Sequence, residues 1–132
     1  MSYLHRAGAA ALALSAFFHV TAVNAAAGDY RFELAGNPQS TGGKSILAIK
    51  LMHVPDGKTV PNAVIIQTRA DMGPDGMKEM TAPVKVLPPK EQGVYLFEVE
   101  PGMAGGWMLT LAAKVQGEAE TVRGSVTVKL AK

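Results

Sequence analysis

Residues 94–115 read VYLFEVEPGMAGGWMLTLAAKV. Two alternating runs flank a turn. Tyr95, Phe97 and Val99 share one face of the first run, and Glu98 and Glu100 lie on the other. Trp107, Leu109, Leu111, Ala113 and Val115 share one face of the second, with Met108, Thr110, Ala112 and Lys114 opposite. A period of two is what a strand shows when one of its faces is buried. Between the runs, PGMAGG has the proline and glycines of a tight connection. The segment therefore predicts two strands over one core, with Trp107 as a central core residue.

The same pattern recurs on both sides. DYRFELAG puts Tyr30, Phe32 and Leu34 on one face, and KSILAIKLMHV does the same with Leu47, Ile49 and Leu51. NAVIIQTRADM is β-branched and alternates weakly. APVKVLPP is a short run that two prolines should end, and TVRGSVTVKL keeps Val122, Val126, Val128 and Leu130 in phase. NPQSTGG, PDGK and VQGEAE read as turns. Seven strands at this spacing predict an all-β fold, an immunoglobulin-like antiparallel β-sandwich, with a small barrel as the alternative. No long helical period occurs after the N-terminal region; KEMTAPV could open one helical turn, which Pro83 would stop.

The N-terminal region reads differently. MSYLHR is short and basic, AGAAALALSAFFHV is an uncharged apolar run, and TAVNAAAG supplies small residues. That is the layout of a signal-peptide helix, too short to span a bilayer comfortably. Val23-Asn24-Ala25 and Ala25-Ala26-Ala27 both fit small-x-small cleavage. Residues 1–25 are expected to be a secretory signal cut after Ala25 or Ala27, and residues 28–132 a single domain. The destination is then the periplasm, and the cleaved chain is expected to be soluble.

Composition narrows the function. The chain has no cysteine, so thiolate metal sites, nucleophilic cysteines and redox pairs are absent, and the domain must hold by packing alone. Thirteen Lys and Arg stand against eleven Asp and Glu, with neither basic runs nor interleaved aromatics, which argues against nucleic acid. His53 is the one histidine outside the signal. No nucleophile elbow or phosphate loop occurs, and GMAGG lacks the lysine and helix that would make one. An enzyme is not expected.

Methionine is the unusual component. Seven occur, and six follow the initiator: Met52, Met72, Met77, Met80, Met103 and Met108. Met72, Met77 and Met80 crowd into DMGPDGMKEM, residues 71–80, around a Gly-Pro-Asp-Gly turn. Thioethers suit Cu(I) or Ag(I), and a flexible loop lets several converge. Met72, Met77 and Met80 are the candidate metal ligands, with His53 and Met103 as secondary candidates. The other reading of these residues is a greasy loop that caps one end of the sandwich. Asp71, Asp75 and Glu79 do not follow the order of a calcium loop.

PNAVIIQTRADMGPDGMKEM at 61–80, GVYLFEVEPGMAGGWMLTLAAKV at 93–115 and a closing strand resemble the FixH-like or YtkA-like periplasmic domain. The features that carry the resemblance are the methionine-bearing segment with Met72, Met77 and Met80, and Gly105-Gly106-Trp107 opening a strand. It covers about Lys44 to Leu130. It implies an immunoglobulin-like sandwich and an association with copper handling or heavy-metal efflux, because such domains accompany a membrane metal transporter or an oxidase-assembly complex. FixH proteins proper keep a transmembrane helix, whereas this chain reads as cleaved. The expectation is therefore a free periplasmic carrier that passes Cu(I) or Ag(I) to a partner. The competing expectation is a protein-interaction module in which the methionine loop docks on that partner and no metal is bound.

Overall fold

The computed structural model describes residues 27–132, so the expected signal segment, residues 1–25, lies outside the described residues. A 3₁₀ turn, Ala27–Asp29, leads into β1, Tyr30–Leu34. Then come β2 (Gln39–Thr41), β3 (Lys44–His53), β4 (Lys58–Thr59), β5 (Val64–Met72), β6 (Met77–Ala82), β7 (Val84–Glu91), β8 (Val94–Val99), β9 (Gly105–Lys114) and β10 (Val122–Leu130). One sheet runs β1-β3-β8-β7, with β2 and β4 pairing on β3. The other runs β10-β9-β5-β6. All pairings are antiparallel. The seven strands expected from alternation are all present, and β2, β4 and β6 are added to them.

Each alternating run buries the face its period predicts. Leu47, Ile49 and Leu51 of β3 meet Phe97 and Val99 of β8 and Trp107, Leu109 and Leu111 of β9 in one core. Phe32 packs so closely on β10 that a β-carbon at Gly124 would lie 2.8 Å from its ring. A side chain there would separate the sheets, so the glycine lets the aromatic ring fill the gap between them.

Two local expectations change. KEMTAPV forms no helical turn: residues 77–82 are the edge strand β6, paired to the end of β5. The pairing supplies backbone partners that one helical turn stopped by Pro83 could not. Likewise Pro88 and Pro89 do not end the APVKVLPP run at Leu87. They lie within β7, where the register with β8 shifts between Leu87 and Glu91. β7 is an edge strand, and proline is tolerated on an edge because the missing N–H faces away from the ladder.

Tyr95 shows how loops are fastened to the core. Its ring is buried. Its hydroxyl donates to the Val60 carbonyl at 2.7 Å and accepts from the Ala63 N–H at 2.9 Å, and burial pushes the phenol pKa up. These two hydrogen bonds hold the connection between β4 and β5. Tyr95→Phe is expected to cost about 2 kcal/mol, since two backbone groups lose a partner while the packing stays. A denaturant midpoint shift, with the slope unchanged, measures it.

Candidate functional site

The segment expected to be a methionine loop is a strand–turn–strand unit. Met72 ends β5, a 3₁₀ turn covers Gly73–Asp75, and Met77 opens β6 directly opposite Met72. Gly76 takes a left-handed conformation, φ 76°, which completes the turn. Asp71 pairs with Thr81 but Met72 pairs with Met77, so Lys78, Glu79 and Met80 bulge out of the ladder. The bulge puts Met80 at the surface, 44% exposed. Met77 is half-buried and packs on the core. Met72 is 0% exposed and belongs to the core itself.

Two carboxylates shape the turn. Asp71 is 1% exposed; one oxygen accepts the Gly73 N–H at 2.8 Å and the other takes the Arg69 Nε at 3.3 Å. Arg69 also donates to the Lys78 carbonyl at 3.1 Å, which ties the bulge to β5. Asp75 accepts the Gly106 N–H at 2.9 Å, across to the start of β9.

Met103 stands in the connection before β9 and is 40% exposed. Its carbonyl accepts the Trp107 indole N–H at 3.1 Å, so the buried tryptophan fixes the segment that carries it. Met72 reaches the same place, for its methyl lies 2.8 Å from where a β-carbon on Gly105 would be. Met108, on the outer face of β9, is also there, with its methyl 3.9 Å from the β-carbon position of Gly73. Five of the six methionines after the initiator therefore gather at one end of the sandwich, and Met52 is the exception.

His53 is not among them. It ends β3 opposite Tyr30, and the Tyr30 hydroxyl donates to Glu118 at 2.8 Å, in the connection after β9. The methionines cluster at Gly105, the start of the same ten-residue strand. About 3.3 Å per residue over that strand puts roughly 30 Å between the two ends. A single site holding His53 together with the methionine turn is not what the fold builds. His53 instead has its own surroundings. Its ring stacks at a tilt on Tyr30, 5.1 Å between centroids, and Nδ1 lies 3.0 Å from an Asp56 oxygen. Nε2 is buried with no hydrogen-bond partner among the described residues. Burial, then the bond to Glu118, pushes the Tyr30 phenol up to about 12. Asp56 is held below the usual carboxylate range by the Lys58 backbone N–H and by His53.

Among the described residues, no three His, Cys, Asp or Glu side chains gather where they could hold a metal ion. The residues that strand pairing and turn packing place at this end of the sandwich are methionines. Met108 was missed by sequence reasoning because its strand phase sets it opposite Trp107, facing outward. The pairing of Met108 with Asp71 brings it back to the turn.

The YtkA-like family model matches residues 24–112. This chain belongs to the YtkA-like family. The match includes the methionine turn and the Gly105-Gly106-Trp107 segment and stops before β10. No curated protein matches the YtkA-like chain. Its fold is similar to the crystal structure of a DUF4426 family protein from Pseudomonas aeruginosa PAO1, with a TM-score of 0.55 and 16% identity over 79% of this chain and 92% of the other. At that identity the likeness concerns the fold alone. Among the described residues, no helix is long and apolar enough to cross a membrane.

Proposed function

We propose that this YtkA-like domain handles a soft metal ion in the periplasm, holding Cu(I) or Ag(I) through methionine thioethers and passing it to a membrane transporter or assembly partner. The observation that carries this reading is the gathering of five methionines at one end of a sandwich that has no cysteine. Thioethers favour Cu(I) and Ag(I) over harder ions, and they release them readily. Met77, Met80 and Met103 are the accessible donors. Met72 is sealed in the core, and His53, at the far end, takes no part.

The domain, residues 28–132, is titrated anaerobically with Cu(I) against a chromophoric chelator. Wild type is expected to retain one ion. The variant M77L/M80L/M103L should bind about a hundredfold more weakly, about 2.7 kcal/mol, while leucine preserves volume and fold. His53→Ala should bind as wild type does. Retention of the ion by the triple variant would overturn the reading. The second reading, a docking module without metal, draws on the exposure of Met80 and Met103, since methionine makes adaptable apolar contacts. It gains if wild type retains no ion.

A further inference from the structure

The turn that carries the methionines is seated on β9 more tightly than a surface turn needs to be. A β-carbon at Gly105 would lie 2.4 Å from the nearer Asp75 oxygen and 2.8 Å from the Met72 methyl. At Gly106 it would lie 2.9 Å from the other Asp75 oxygen and 3.1 Å from the Pro74 β-carbon. The two glycines thus form a bare strip of backbone onto which Pro74 and Asp75 are pressed. Beyond the turn's own backbone and Asp71, the bond that fastens it is Asp75 to the Gly106 N–H at 2.9 Å. A carboxylate accepting a backbone N–H makes a stronger bond than a neutral acceptor does. The turn closes over Met72, which is why that thioether has no exposure although it lies at the end of a strand.

We propose that Asp75 is the positioning residue of the methionine site. Its bond to Gly106 clamps residues 73–76 on the start of β9, shuts Met72 away from solvent, and holds the β5–β6 methionines in a set relation to Met103. The metal role rests on the function proposed above; the clamp rests on the contacts alone. A turn already held in place loses little freedom when a ligand binds between it and a neighbouring segment, so the clamp raises affinity without touching the ion.

The test compares Asp75→Ala with Asp75→Asn in the domain comprising residues 28–132. Asparagine keeps an acceptor oxygen for the Gly106 N–H and drops only the charge. Two readouts are taken on each folded protein. One is the rate at which dilute peroxide converts Met72 to its sulfoxide, read by mass spectrometry with Met80 as the exposed reference. The other is Cu(I) affinity against the chelator. Asp75→Ala is expected to raise the Met72 oxidation rate about tenfold and to weaken Cu(I) binding about tenfold, as loss of one charge-assisted hydrogen bond implies. Asp75→Asn should restore most of both. If Asp75→Ala does not fold, Asp75→Ser, whose hydroxyl is too short to reach Gly106, replaces it.

Unchanged Met72 oxidation in the folded variant would overturn the clamp. Faster oxidation with unchanged Cu(I) affinity would overturn the positioning role. If wild type itself retains no Cu(I), the proposed metal function fails, and the oxidation rate still decides the clamp.

Discussion

Gly105→Ala should lower the stability of the domain by about 4 kcal/mol. Two independent effects combine. The backbone at Gly105 has φ 150°, a conformation that L side chains rarely adopt, and forcing one into it costs about 1–3 kcal/mol. The added methyl would also meet an Asp75 oxygen at 2.4 Å and the Met72 methyl at 2.8 Å. Overpacking of this kind costs about 1–3 kcal/mol. Neither neighbour can yield cheaply, because Asp75 is bonded to Gly106 and Met72 is enclosed by the core. For a domain of about this size the melting temperature should fall by on the order of 20 °C. Gly102→Ala is the control. No atom lies within 4 Å of its β-carbon position, so its midpoint should stay within about 0.5 kcal/mol of wild type. A Gly105→Ala protein as stable as the control would show that the turn swings off β9 freely, and the tight seat would lose its meaning.

The second large effect belongs to Trp107. It is 1% exposed, the bulkiest of the fully buried side chains, and packed in the layer where β9 meets β3 and β8. Trp107→Ala should cost about 4 kcal/mol, the transfer of the indole plus the cavity it leaves. The indole N–H also holds the Met103 carbonyl, so the same change frees the connection that carries Met103. Trp107→Phe separates the two consequences. It fills most of the space but cannot donate, and should lose about 1–2 kcal/mol through the unpaired carbonyl and the smaller ring. Circular dichroism under urea measures both variants, since the chain has one tryptophan and the substitutions remove its fluorescence. A loss below about 1 kcal/mol for the alanine variant would mean the ring is not the centre of this core.

The architecture was legible because strand burial writes itself into the sequence with a period of two. Leu47-Ile49-Leu51, Tyr95-Phe97-Val99 and Trp107-Leu109-Leu111 all point where alternation says they should. The short strands escaped notice for a matching reason. β2 is exposed throughout, QST with no apolar residue, and β6 is interrupted by a three-residue bulge, so neither carries a period to read. In the same way, Pro88 and Pro89 mark a strand end only for a strand hydrogen-bonded on both sides, and β7 is bonded on one.

The candidate site divides along the same line. Residue types were evident in the chain itself: no cysteine, one histidine after residue 25, six methionines after the first, three of them crowded around Gly-Pro-Asp-Gly. Those facts determined that any metal held by clustered soft side chains would meet thioethers. Position could not be read the same way, because distance along a chain and distance through a sandwich are unrelated once strands cross between sheets. Pairing sent His53 to the end that Tyr30 and Glu118 occupy, and drew Met103 and Met108 to the turn with Met72, Met77 and Met80. It also sorted those three by exposure, one in the core, one half-buried and one at the surface. Composition set the chemistry on offer at this end of the protein, and tertiary contact alone decided which methionines lie there and which of them solvent can reach.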